Sequence, residues 1–184
     1  MDRRTFALSG TVTLLGLSAK GLAQQTSAPT TPTPVTPSAG NSQAPPRPPA
    51  LAQEMVKEFV IAAHGNLEKT KVMLAAEPGL VNATWDWGGG DFEQAIGGAG
   101  HMGRKDIADF LISQGARMDI FVAAMLGDLD LVKAWLQAQP HQATARGPHG
   151  IPLLVHAQMG AKNGVKEASG VVEFLQSMAA SQKA

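Results

Sequence analysis

Mainly apolar residues recur three and four apart in four stretches of the chain: Leu67, Thr70, Met73 and Leu74; Ile107, Phe110 and Leu111; Leu131, Val132, Trp135 and Leu136; Val171, Val172, Phe174 and Leu175. This spacing follows the turn of an α-helix and predicts four amphipathic helices, each burying one stripe. Ahead of three of them lie stretches that can be laid over one another: Ile61-Ala62-Ala63-His64-Gly65, Gly98-Ala99-Gly100-His101-Met102-Gly103 and Val122-Ala123-Ala124-Met125-Leu126-Gly127. Each reads as a small-residue helix closed by a turn glycine, which supplies the positive φ that ends it. An acid soon afterwards (Glu68, Asp106, Asp128) suits the start of the next helix. No alternating β-branched run separates these segments, so no strand is expected.

The paired pattern resembles the ankyrin repeat. Three segments carry the likeness: Ala63-His64-Gly65-Asn66-Leu67-Glu68, Gly115-Ala116-Arg117-Met118-Asp119, and Gly150-Ile151-Pro152-Leu153, the last similar to the Thr-Pro-Leu that opens an ankyrin helix. The resemblance implies an all-α, ankyrin-like helical repeat solenoid of about four helix pairs over residues 51–180, working by binding another protein. The array departs from a constant period. Its long interval holds Trp85-Asp86-Trp87-Gly88-Gly89-Gly90-Asp91, and Phe92-Glu93-Gln94-Ala95 stands where Thr-Pro-Leu-His would open the second pair.

The first fifty residues have a different character. Residues 1–23 read as a secretory signal: a charged start, a short apolar run to Leu17, and small residues at Gly21 and Ala23. Arg3 and Arg4 followed by Phe6 and Leu8 make it similar to a twin-arginine signal, with cleavage after Ala23 or, as an alternative, Ala19. The apolar run is too short to span a bilayer. A periplasmic or secreted protein is therefore expected, without a stable membrane anchor after cleavage. Residues 24–50 are mostly Thr, Pro, Ser, Ala and Gln, and are expected to form a disordered Pro-rich spacer.

Composition narrows the chemistry. Fifteen basic residues balance fifteen acidic ones without a cluster, so a nucleic-acid partner is not expected. The chain has no cysteine, which removes disulfides, thiolate metal sites and cysteine nucleophiles. Gly88-Gly89-Gly90 lacks the spacing of a phosphate cradle, and Ala168-Ser169-Gly170 lacks that of a nucleophile elbow. His149 and His156, with His101 or Asp91, are the donors to weigh for zinc. No His-x-x-x-His pair on one helix supports them, and no metal, cofactor or catalytic residue is expected. His64 and His101 read as helix-end caps, and His156 as a partly buried polar contact.

Two tryptophans around an acid are costly to leave exposed. They either fold back over the first helix pair or anchor a binding surface. The reading is therefore a non-catalytic protein-protein interaction module, monomeric when free, meeting its partner in the periplasm through Trp85, Asp86, Trp87, Asp91, His101 and His149. The alternative is a small metal- or carbohydrate-active periplasmic enzyme using His101, His149 and the loop from Trp85 to Trp87.

Overall fold

Short polar side chains start three of the helices. Asn66, Asp119 and Asp128 accept the backbone N–H groups of Lys69, Val122 and Leu131 at 2.9, 2.9 and 3.0 Å, satisfying donors that have no partner inside the helix. A computed structural model describes residues 47–181. The signal read at residues 1–23 and the spacer up to residue 46 lie outside the described residues.

Eight α-helices are present among the described residues: α1 (Gln53–Ala63), α2 (Leu67–Ala76), α3 (Ala95–His101), α4 (Lys105–Ser113), α5 (Ile120–Leu126), α6 (Leu129–Ala138), α7 (Leu153–Lys162) and α8 (Ala168–Ser181). They pair in chain order, α1 with α2, α3 with α4, α5 with α6 and α7 with α8, while α1, α3, α5 and α7 touch one after another. Left-handed glycines end α3 and α5, with φ +68° just beyond α3 at Gly103 and +79° at Gly127. Gly65 makes its turn without a positive φ. None of the helices is long and apolar enough to cross a membrane.

Small residues let the odd-numbered helices approach closely. Ala62, Ala63, Ala95, Ala99, Ala123, Ala124 and Ala157 are buried, and a Cβ placed on Gly160 of α7 would lie 2.0 Å from the Met125 carbonyl oxygen of α5. The larger side chains fill two hydrophobic clusters. One holds Phe59, Leu74, Leu80, Ile96, Ile107, Leu111 and Met125; the other holds Ile120, Phe121, Val132, Leu136, Leu153, Val171 and Leu175. Leu111 is wholly buried in the first. Leu111→Ala is expected to cost about 2–5 kcal/mol in denaturant unfolding, through lost transfer energy and the void left behind.

The expectation of no strand, and with it of a purely all-α fold, is corrected. Thr84–Asp86 (β1) and Phe92–Gln94 (β2) form an antiparallel hairpin pairing Thr84 with Gln94, Trp85 with Glu93 and Asp86 with Phe92. The domain is mostly helical with this one small sheet. Its turn runs through Gly88, Gly89 and Gly90 at φ +122°, +68° and +88°, a succession that only glycine adopts readily. Trp87 N–H donates to the Asp91 carbonyl at 2.9 Å below that turn. Phe92-Glu93-Gln94, expected to open a helix, is thus strand, and α3 begins at Ala95. Three-residue strands carry too little alternation to be seen as a period of two.

Candidate metal centre

Strand alternation sorts the hairpin's side chains. Asp86 and Phe92 are exposed on one face, while Glu93 is buried on the other, with Trp85 and Trp87 half-buried. Glu93 therefore points in towards the ends of α1 and α3. His64 caps the end of α1 and His101 closes α3. Because α1 and α3 lie side by side, both rings arrive at the same end. Gly98 makes room for this: a Cβ there would sit 2.7 Å from Cε1 of His64. His149 comes from the turn between α6 and α7, held at φ 57°, ψ 20°.

Four donor atoms converge. His101 Nε2 lies 2.9 Å from Glu93 Oε1 and 3.1 Å from His64 Nε2. Glu93 Oε2 lies 3.4 Å from His149 Nε2 and 3.5 Å from His64 Nε2. All four ligand atoms stand within 4.8 Å of one another. Tetrahedral zinc with bonds near 2.0–2.1 Å separates its ligand atoms by about 3.3 Å, so these spacings suit one ion among them. The side chains of Glu93 and His101 are 0% and 8% exposed and make the floor; His64 and His149, at 23% and 33%, make the mouth.

The rings are also held from behind. His64 Nδ1 donates to the Val60 carbonyl at 2.8 Å, and His149 Nδ1 to Asp91 Oδ2 at 2.8 Å. A carbonyl or carboxylate oxygen can only accept, so Nδ1 carries a hydrogen in both rings, and in the neutral form of each it is Nε2 that presents a lone pair to the site. Metal-binding histidines have this outer support. Trp87 Nε1 donates to Glu93 Oε2 at 2.7 Å, and its ring stands 5.6 Å from that of His149.

Burial pushes the Glu93 pKa up, yet the hydrogen bond from His101, the field of His64 and the Trp87 N–H together hold it below the ordinary glutamate value. The floor of the site is thus an ionised carboxylate almost out of water, held in that form by the hydrogen bonds it accepts from His101 and Trp87. Three imidazole nitrogens and one carboxylate oxygen, with no thiolate, form a donor set for zinc and neighbouring divalent transition metals once an ion displaces the hydrogen that His101 Nε2 gives to Glu93.

Of the residues singled out from the sequence, Asp91, His101 and His149 come together here and Trp87 lines the site. Trp85 is separate: it packs on the first hydrophobic cluster, with Lys57 Nζ 5.3 Å from its ring centre. Asp86 caps the glycine turn by accepting the Gly88 N–H at 2.8 Å. His156, weighed as a zinc donor, is not among the four converging side chains, although its ring stands 6.4 Å from that of His101. It is wholly buried rather than partly so, donates from Nδ1 to the Pro152 carbonyl at 3.1 Å and packs on Phe121. Burial lowers its pKa and keeps it neutral.

Sequence reasoning missed His64 and Glu93 as site residues. The signal for His64 was its place beside His101 at the ends of successive first helices; Glu93 gave none while Phe92-Glu93-Gln94 was read as a helix start. No family model matches this chain, and no curated protein is significantly similar to it.

Proposed function

We propose that this is an exported protein whose ankyrin-like stack of helix pairs carries a divalent transition-metal centre, with zinc as the ion its donors suit best. The observation that carries the reading is the convergence of His64, Glu93, His101 and His149 with an ionised carboxylate at the floor. The side-by-side order of α1, α3, α5 and α7 supports the repeat assignment, and Arg3, Arg4 and the small residues before Gln24 support export. Two hydrophobic clusters supply the core, and the domain is expected to fold without the ion. A second reading, capture of a protein partner, is favoured by Phe92, 62% exposed on the outer face of the hairpin beside this site.

The test is zinc titration of the full chain against a chromophoric chelator, with bound metal counted after dialysis. One zinc per chain is expected, and His101→Ala should weaken binding by about 100-fold or more, since each ligand carries roughly a quarter of a total near 12 kcal/mol. Equal zinc uptake by the wild type and this variant would end the metal reading.

A further inference from the structure

Resting on the metal reading, we infer that Asp91 is a positioning residue that selects which nitrogen of His149 faces the ion. Asp91 follows the glycine turn of the hairpin and reaches across to the turn between α6 and α7. Its Oδ1 accepts the main-chain N–H of His149 at 2.9 Å, and its Oδ2 accepts Nδ1–H of the same residue at 2.8 Å. One carboxylate thus fixes both the backbone and the ring of a single residue. That residue is the one non-glycine position with positive φ among the described residues, a conformation that persists where surrounding contacts over-determine it. The double bond does more than hold a loop. Because a carboxylate offers no hydrogen, it commits the neutral His149 ring to the Nδ1–H tautomer, with Nε2 bare 3.4 Å from Glu93 Oε2.

Asparagine at this position has the same shape and reverses the commitment. Of the two amide atoms the main-chain N–H can donate only to the oxygen, so the amide oxygen takes the place of Oδ1 and the amide nitrogen lands opposite Nδ1. There it donates, and the favoured tautomer becomes Nε2–H, with its lone pair turned away from the ion. Alanine removes both bonds and leaves the tautomer free. Zinc affinity should therefore fall in the order wild type, Asp91→Ala, Asp91→Asn, the last at least 10-fold below wild type on the 10–100-fold scale of outer-shell substitutions. A clamp that served only to hold the loop would give the opposite order, because asparagine keeps the backbone bond.

The experiment is zinc titration of the three full-length chains, together with 15N NMR of the His149 ring in each without metal. Asp91→Asn weaker than Asp91→Ala, with its ring shifts moved to the Nε2–H form, supports the assignment. Asp91→Asn binding as tightly as Asp91→Ala or tighter, or unchanged ring shifts, overturns it. The ring measurement needs no metal, so a wild type that failed to bind zinc would remove the metal reading while the tautomer result still judged Asp91.

Discussion

Glu93→Gln is expected to weaken zinc binding by about 100-fold or more and to lower the stability of the metal-free domain as well. The two side chains have one shape, and the amide oxygen can still accept the Trp87 N–H that now reaches Oε2 at 2.7 Å. What disappears is the negative charge, the one anionic ligand of the four. A divalent ion then sits among neutral donors and loses roughly a quarter of a binding free energy of about 12 kcal/mol, which is about two decades in affinity. Without metal the effect has the same direction. The fold holds the Glu93 carboxyl below its ordinary pKa, so its ionised form is net stabilised by His101, His64 and Trp87 despite burial, and removing that charge should lower the unfolding midpoint. Competition titration and a thermal melt in chelator measure the two halves. An unchanged or raised melt would show that the partners of the carboxylate do not outweigh its desolvation.

Gly160→Ala should destabilise the domain by about 3 kcal/mol, and the sign alone is diagnostic. On an exposed helix, alanine in place of glycine stabilises by about 1 kcal/mol because glycine has more conformational freedom to lose. In α7 the added methyl would stand 2.0 Å from the Met125 carbonyl oxygen and 3.1 Å from the Ala168 Cβ. The first of these is backbone, so no rotamer change relieves it; α5 and α7 have to separate, and overpacking of this kind reaches the upper end of its usual range of about 1–3 kcal/mol. Chemical denaturation of the metal-free chain provides the measurement. A gain in stability would mean that the two helices do not pack as closely as described.

The helices were the legible part of this fold. The stripes through Leu74, Ile107 and Leu111, Val132 and Leu136, and Val171 and Leu175 are buried where their spacing placed them, because helix amphipathicity is written within a dozen consecutive residues. The hairpin was hidden because each strand is three residues long and its partner lies across three glycines. The site was hidden for another reason. His64 and His101 stand 37 residues apart, and Asp91 and His149 stand 58 apart; their meeting depends on which helix ends share a side of the stack. Asp91, His101 and His149 could be singled out as polar groups beside turns, but nothing in their spacing named a metal. Glu93 became visible only once the hairpin register turned its side chain inward beside the two helix ends.

The four ligands come from four places along the chain: the end of α1, the hairpin, the end of α3 and the turn before α7. An ion held by all of them would be a cross-link between segments far apart along the chain, and its binding energy would add to the free energy of unfolding. By mass action, free zinc at a hundred times its dissociation constant contributes about 2.7 kcal/mol, provided the unfolded chain does not bind it. Part of the domain's stability is then set by its surroundings, rising where the ion is plentiful and falling as it is withdrawn.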